Sequence, residues 1–225
     1  EAALDYSLNA VFFHAGQICS AGSRLLLHEK IHDDFVLKLK IRMEKIRVGS
    51  GQLKTTQMGP LISLQQLEKV DFYVKLGQEE GATLALGGMR SFRTEHDYKG
   101  FFYEPTLLIN CKAFMRVVQE EVFGPVITVE KFSSEEEALS LANNTQYGLS
   151  AGFWTKSEKR IKKLSTKLRF GTIWINDYNV YFPEAPWGGY KRSGIGRELG
   201  KEGLHEYLEI KHIYQNHNPE ALNYF

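Results

Sequence analysis

A cysteine at position 19 is the residue whose type and setting point most directly to chemistry. It follows an apolar helical pattern at residues 3–15 and a glycine at position 16, in the sequence FHAGQICS of residues 13–20. A thiol where the chain leaves a helix can be exposed and close to backbone N–H groups, and its thiolate can attack an electrophilic carbon. The alternative is that Cys19 is a small buried apolar side chain, as free cysteines often are.

Two later motifs favour the catalytic interpretation. Residues 120–125 read EEVFGP, and residues 186–198 read PWGGYKRSGIGRE. Together with GQIC at residues 16–19 and MGPLIS at residues 58–63, they resemble the aldehyde dehydrogenase family in order and in separation. The resemblance extends over essentially the whole chain.

The resemblance implies a role for each matching residue. In that family the cysteine that matches Cys19 adds to the aldehyde, a hydride leaves the thiohemiacetal for the nicotinamide of NAD or NADP, and water hydrolyses the thioester. The backbone N–H of Cys19 would be one oxyanion donor. Glu121 matches a residue that contacts the nicotinamide ribose, and Phe123 one that packs beside the nicotinamide. Glu198 matches a glutamate linked to proton movement away from the thiol, with a structural salt bridge as its alternative role.

The same resemblance places other parts of the machinery upstream of residue 1. These are the general-base glutamate, the oxyanion asparagine and the dinucleotide-binding domain. We therefore expect this chain to contact only the nicotinamide end of NAD or NADP. We also expect it to show no dehydrogenase activity alone.

Aromatic side chains near the motifs suggest the class of aldehyde. Trp187 and Tyr181 lie in a long loop at residues 177–200, and Phe13 precedes the cysteine. An aromatic wall can hold a quaternary ammonium by cation–π attraction. Trp187 and the sequence CSAGSR at residues 19–24 resemble the betaine aldehyde branch of the family, which implies oxidation of betaine aldehyde to glycine betaine. The alternative is an apolar tunnel for aliphatic or aryl aldehydes.

The composition limits the other partners. The 225 residues include 28 basic and 27 acidic side chains, for a net charge of +1, so no overall field attracts nucleic acid or a membrane surface. A small-molecule aldehyde and sister subunits are the expected partners, with a homodimer or homotetramer in the complete protein. The two cysteines form no CxxC pair and no signal peptide is recognisable, which favours a reducing cytoplasm.

Apolar patterns alternate between strand and helix periods along the chain. Strands are predicted at residues 24–27, 82–86, 126–132, 151–155 and 172–175, with helical stripes between them and a polar connection at 88–100. This order predicts an α/β fold, with an open, mostly parallel sheet flanked by helices. We expect a catalytic domain over residues 1–206 and a tail over 207–225, in which residues 209–215 form an oligomerisation strand.

The sequence offers three other interpretations. The sequence HEKIH at residues 28–32 matches a zinc-protease pattern, but the following helix is predicted to begin at Asp33, which separates the two histidines; no metal site is predicted. A second interpretation is a non-catalytic assembly fragment with an idle Cys19. The third is a cysteine hydrolase that pairs Cys19 with His205 or His212, although no family spacing supports that pair.

Overall fold

The computed structural model describes residues 1–91 and 100–224. Helices in this part of the chain are α1 Ala2–Phe12, α2 Glu29–Met43, α3 Leu64–Glu79, α4 Arg116–Gln119, α5 Glu135–Asn143, α6 Glu158–Lys167 and α7 Gly200–His205. A 3₁₀ turn, Phe13–Gly16, follows α1. None of these helices has the length and apolar character needed to cross a bilayer.

The strands form one larger sheet and two small ones. They are β1 Arg24–His28, β2 Thr83–Leu86, β3 Thr106–Ile109, β4 Val126–Phe132, β5 Tyr147–Gly148, β6 Ser150–Phe153, β7 Thr172–Ile175 and β8 Tyr190–Lys191. The larger sheet has the order β1-β4-β3-β2, in which β1, β4 and β3 are parallel and β2 is antiparallel. The small sheets are the antiparallel pair β5-β8 and the parallel pair β6-β7. The predicted α/β fold, with a mostly parallel sheet flanked by helices, is confirmed.

The core lies around the two central strands of the larger sheet. Leu107 and Leu108 on β3, and Ile127 and Val129 on β4, are completely excluded from solvent. The first five residues of β4 are all buried, as expected for a parallel strand that helices cover on both faces. Helices α2 and α3 add Leu39, Met43, Val70 and Val74 to the same cluster.

One predicted boundary is wrong. Helix α2 begins at Glu29, four residues before the predicted start at Asp33. The physical reason is that His28 caps the helix, because its Nδ1 accepts a hydrogen bond of 3.1 Å from the N–H of Lys30. His32 lies inside the helix and is buried, with its Nδ1 2.6 Å from the Asp33 carboxylate. Within the described residues, no group of three or more His, Cys, Asp or Glu side chains is arranged to hold a metal.

The C-terminal segment adopts no strand within the single chain. Residues 209–215 are exposed and unpaired, and a strand there would require the edge of another sheet to satisfy its backbone groups. Their predicted role in oligomerisation therefore remains a prediction. The predicted polar connection at residues 88–100 lies largely outside the described residues.

Candidate active site

The loop that carries Cys19 makes an unusual reversal. His14, Ala15 and Gly16 have φ angles of 49°, 55° and 72°, so three successive residues occupy the left-handed region. Only glycine adopts this region without strain. The chain turns sharply out of α1, and Cys19 lies exposed in the turn before β1.

Gly16 packs the cysteine loop against the loop that contains Gly124. A Cβ atom on Gly16 would lie 2.0 Å from the carbonyl oxygen of Gly124, so only glycine allows the two backbones to come this close. Gly124 directly follows Phe123, the predicted nicotinamide contact. The packing therefore brings the cysteine loop against the loop predicted to contact the cofactor.

Gln66, which no motif of the sequence identifies, holds the loop of residues 120–124. Gln66 on α3 donates from Nε2 to the carbonyl oxygens of Val122 and Phe123, at 3.0 and 2.8 Å. Ser63 caps α3 and Gln66 is its third helical residue, a pattern that predicts a local capping box. The Gln66 side chain instead reaches across to the loop. Phe123 has a φ of 58°, and Glu121 is exposed.

The neighbouring Glu120 has a structural role. Its carboxylate accepts hydrogen bonds from Arg116, at 2.7 and 3.0 Å, and from the Tyr73 hydroxyl, at 2.6 Å. The hydrogen bond from Arg116, followed in size by the one from Tyr73, lowers the pKa of Glu120 to about 2. Burial is the main cause that raises the pKa of Tyr73 to about 12, and its hydrogen bond with Glu120 is the second. The two adjacent glutamates thus differ: Glu120 anchors the loop, and Glu121 projects from it.

Ser20, the residue after Cys19, is tied to the aromatic loop of residues 177–200. The Tyr178 hydroxyl donates to the Ser20 carbonyl at 3.0 Å. The Ser20 hydroxyl donates to Asn179 Oδ1 at 3.0 Å and lies 2.6 Å from the Tyr181 hydroxyl. Burial is the main cause that raises the pKa of Tyr181, and the nearby Cys19 thiol raises it further. These contacts hold Tyr181 beside the cysteine loop.

The predicted aromatic wall is only partly assembled. The Tyr181 and Trp187 rings meet edge to face at 4.8 Å, and both lie near Trp174, at 5.7 and 6.0 Å. Phe13 is 53% exposed and its ring contacts His14 at 4.3 Å, so it lies on the outer side of the cysteine loop. Two of the three predicted wall residues are therefore in ring contact with each other.

Glu198 contributes its backbone to the position of Trp187. The two residues exchange a pair of backbone hydrogen bonds, both 2.7 Å long. The Glu198 side chain is exposed, and within residues 1–91 and 100–224 it forms no ion pair. The alternative role of a structural salt bridge thus finds no support in the described part of the chain.

A cavity of about 990 Å³ brings three of the predicted site residues together, since Cys19, Glu121 and Phe123 all line it. The other four, Phe13, Tyr181, Trp187 and Glu198, are not among its lining residues. The other cysteine, Cys111, is buried among apolar side chains, and burial raises the pKa of its thiol to about 12. It is therefore unreactive at neutral pH. An exposed thiol beside an open cavity can add to a carbonyl carbon, whereas the buried one cannot.

Comparison with known proteins identifies the family. The model of the aldehyde dehydrogenase family matches residues 1–213. The chain belongs to the aldehyde dehydrogenase family. Among its aldehyde dehydrogenase relatives, the betaine aldehyde dehydrogenase of Bacillus subtilis (strain 168) is 56% identical over the whole chain, which covers 46% of that relative. A chloroplastic betaine aldehyde dehydrogenase of Atriplex hortensis is 40% identical and is covered to 44%.

Solved aldehyde dehydrogenase structures agree with the fold. The betaine aldehyde dehydrogenase of Staphylococcus aureus, solved in complex with NAD⁺, is 52% identical and superposes with a TM-score of 0.96. This chain is covered completely, and 44% of the solved chain is matched. A point mutant of the same protein, with a TM-score of 0.97, carries a BME-modified cysteine. The chain thus spans about half the length of the aldehyde dehydrogenases it matches.

Proposed function

We propose that the complete protein containing this chain is an NAD(P)-dependent aldehyde dehydrogenase, with Cys19 as the nucleophile. The observation that carries this proposal is the Gly16–Gly124 contact, which packs the loop of an exposed thiol against the loop of Glu121 and Phe123. Left-handed residues in both loops, at a cavity that Cys19 lines, support a functional role for this contact.

The residues present fit the nicotinamide end of NAD or NADP. Glu121 offers an exposed carboxylate that can accept hydrogen bonds from ribose hydroxyls, and Phe123 offers an aromatic face on the same loop. Gln66 holds this loop through two backbone carbonyls, which limits the movement of both side chains. When bound, the cofactor supplies the hydride acceptor. The Staphylococcus aureus structure in complex with NAD⁺ favours NAD.

Cys19 carries the covalent intermediates. The Cys19 thiolate adds to the aldehyde carbon, and the oxygen that becomes negative accepts a hydrogen bond from the Cys19 N–H. Loss of hydride from the thiohemiacetal leaves a thioester on Cys19, which water hydrolyses to the carboxylate and the free thiol. Glu198 takes part in moving the thiol proton away. Ser20 is a positioning residue, because its carbonyl and hydroxyl are both bonded by the aromatic loop.

We propose betaine aldehyde as the substrate, with glycine betaine as the product. Tyr181 and Trp187 form an aromatic corner in which a trimethylammonium group can contact ring faces, whereas Phe13 lies outside this corner. The printed names of the Bacillus subtilis and Atriplex hortensis relatives support this choice. We further propose that the complete protein works as a cytoplasmic homo-oligomer and that this chain alone has no dehydrogenase activity.

The test of the proposed function is a chimera in which this chain replaces the matching part of the Bacillus subtilis relative. We expect formation of NADH with betaine aldehyde, which is followed at 340 nm, and none from this chain alone. Cys19→Ala should lower kcat by roughly 10³-fold, since the covalent route is lost. The matched control is Cys111→Ala, whose kcat should stay within about twofold of the parent chimera. A folded chimera without turnover, or a Cys19→Ala variant with full kcat, would contradict the proposal.

The substrate is tested by Trp187→Leu in the same chimera. KM for betaine aldehyde should rise about 2- to 30-fold, the range that corresponds to one cation–π contact. The control substrate is 3,3-dimethylbutanal, which has the same shape without the charge, and its KM should change less. Equal changes for both aldehydes would favour the apolar tunnel instead.

A further inference from the structure

The Lys191 side chain reaches from β8 to the end of α5. Its Nζ donates hydrogen bonds of 3.0 Å to the carbonyl oxygens of both Asn143, the last residue of α5, and Thr145. The last carbonyls of a helix have no partner within it, and a cation suits the negative end of the helix dipole. Lys191 thus bonds carbonyls at the end of α5 from a distant part of the chain.

Two further side chains bond the same segment between these contacts. The Asn144 carbonyl accepts from Nε2 of Gln119, at 2.9 Å, and from Nη1 of Arg24, at 3.4 Å. Gln119 also donates to the Ala113 carbonyl at 2.6 Å, and Arg24 forms an ion pair with the buried carboxylate of Glu130. Both donors are therefore held at a second point, so their bonds to the segment belong to a fixed framework.

Arg24 and Gln119 connect residues 143–145 to the two loops that meet at Gly16 and Gly124. Arg24 is the first residue of β1, the strand that follows the cysteine loop. Gln119 is the last residue of α4, the helix that leads into the loop of Gly124. Residues 143–145 therefore have a fixed place relative to both loops of the candidate active site.

Lys191 connects the same segment to the loop that carries Trp187 and Glu198. Those two residues close the loop by their pair of backbone hydrogen bonds, and Lys191 lies between them in sequence. Its backbone pairs with Tyr147 in the small sheet β5-β8, at a φ of 55°. A residue other than glycine at positive φ is strained and persists only where surrounding contacts hold it. The ammonium group supplies such contacts at residues 143–145.

We propose that Lys191 is a positioning residue for the dehydrogenase reaction, an inference that rests on the proposed function. Its bonds to residues 143–145 hold Trp187 and Glu198 in place relative to Cys19. Lys191 is not among the residues that line the cavity, so it acts through the loop and not on the substrate. Binding and proton-transfer groups on separate loops work together only when their relative geometry is fixed.

The experiment uses the chimera of this chain with the Bacillus subtilis relative. Lys191→Met keeps a long side chain but removes the donors to both carbonyls. We expect kcat/KM for betaine aldehyde to fall by roughly tenfold or more, because small displacements of positioned groups are costly. Alkylation of Cys19 by iodoacetamide should stay within about twofold, because the exposure of the thiol is set by its own loop. The control is Lys159→Met, at an exposed position of α6, which should change kcat/KM by less than about twofold.

Chemical rescue separates positioning from a general loss of structure. Lys191→Ala lacks a three-carbon ammonium group, which added propylammonium can replace. We expect propylammonium to raise kcat/KM of this variant severalfold and in a saturable way, relative to the parent chimera at the same amine concentration. 1-Propanol has the same size but a single donor, so it can bond only one of the two carbonyls and should restore little.

The outcomes distinguish this inference from the proposed function. A folded parent chimera without turnover would contradict the proposed function and this inference with it. An active parent with an unchanged kcat/KM in Lys191→Met would overturn the inference alone. Lys191 would be only a structural contact if Cys19 alkylation changed as much as kcat/KM, or if propylammonium restored nothing, and either result overturns the inference. A lowered kcat/KM with normal alkylation and rescue by propylammonium supports it.

Discussion

At the scale of single residues, the exposure of Cys19 is determined by backbone conformation rather than by neighbouring side chains. Three left-handed residues, His14, Ala15 and Gly16, reverse the chain immediately before it. Two of them carry a Cβ, and non-glycine residues at positive φ carry strain that the rest of the fold must offset. Such strain at a loop that lines a cavity is typical of functional sites.

Gly16→Ala tests this arrangement. A methyl group at this position meets the Gly124 carbonyl at 2.0 Å and must also adopt a φ of 72°, so the two loops have to separate. We expect the free energy of unfolding in urea to fall by more than about 1 kcal/mol. Gly51→Ala is the control, because nothing lies within 4 Å of its Cβ. Equal stability of the two variants would contradict the role of Gly16.

Ser20 is a site residue that cannot be identified from a single sequence. Its partners Tyr178, Asn179 and Tyr181 lie about 160 positions away, at separations of 158 and 161 residues for the two tyrosines. No local spacing relates such residues, and only the fold brings them together. Cys19, Glu121 and Phe123 could be proposed from the sequence because each lies within a recognisable motif.

At the scale of elements, the support of the loop of residues 120–124 comes from α3 and α4. Gln66 on α3 holds the carbonyls of Val122 and Phe123, while Arg116 on α4 and Tyr73 on α3 hold Glu120. Both ends of the loop are thus fixed by side chains from a rigid framework. The exposed Glu121 is left free to contact a ligand.

Glu120→Gln tests this support through its pH dependence. The folded-state pKa of about 2 lies below the unfolded value of about 4.3, so the charged form stabilises the fold above that value. This contribution is lost as the pH falls towards 2. We expect a lower urea midpoint for the variant at pH 7 and convergence with the parent chain between pH 4 and 2. The control is Glu68→Gln, at an exposed position of α3, which should leave the urea midpoint unchanged. A difference in midpoint between Glu120→Gln and the parent chain that stays constant at every pH would contradict the role of Glu120.

The elements themselves were predictable where local signals were strong. Strands 126–132 and 172–175 have the predicted bounds, because both are runs rich in β-branched residues. The sequence SEEE at residues 134–137 has the pattern of a capping box, and Ser134 accepts a hydrogen bond from the Glu137 N–H at the start of α5. The strand Thr106–Ile109 was not predicted, since a four-residue apolar run carries little periodicity. The early start of α2 depends on a histidine cap, which is rarer than Ser, Thr, Asp or Asn.

At the scale of the whole molecule, the described chain is two sheet units around an open cavity. The larger sheet has a well-buried core, whereas the second cluster consists of Ala10, Trp174 and Tyr178 with three partly buried aromatic rings. The candidate nucleophile lies where these units meet, since Cys19 lines the cavity between them.

The tail presents an exposed apolar surface. The exposed apolar side chains of residues 207–216 are Tyr207, Leu208, Ile210, Ile213 and Tyr214, all more than half accessible. Exposed apolar side chains on an unpaired extended segment favour pairing with another sheet edge. We expect the chain to self-associate in sedimentation velocity and deletion after residue 206 to abolish this. Deletion after residue 216 keeps residues 207–216 and is the control. Self-association that survives both deletions would exclude the tail as its cause.

The most direct test of the central claim is the rate at which iodoacetamide alkylates Cys19 in the 225-residue chain, with Cys111→Ser as background. Betaine aldehyde is added as a protecting ligand, because its addition to the thiol blocks alkylation. We expect alkylation of Cys19 and not of Cys111, because burial raises the pKa of the Cys111 thiol to about 12, and we expect a severalfold slower rate with the aldehyde. A Cys19 rate that equals the rate in the urea-unfolded chain and that betaine aldehyde leaves unchanged would contradict it.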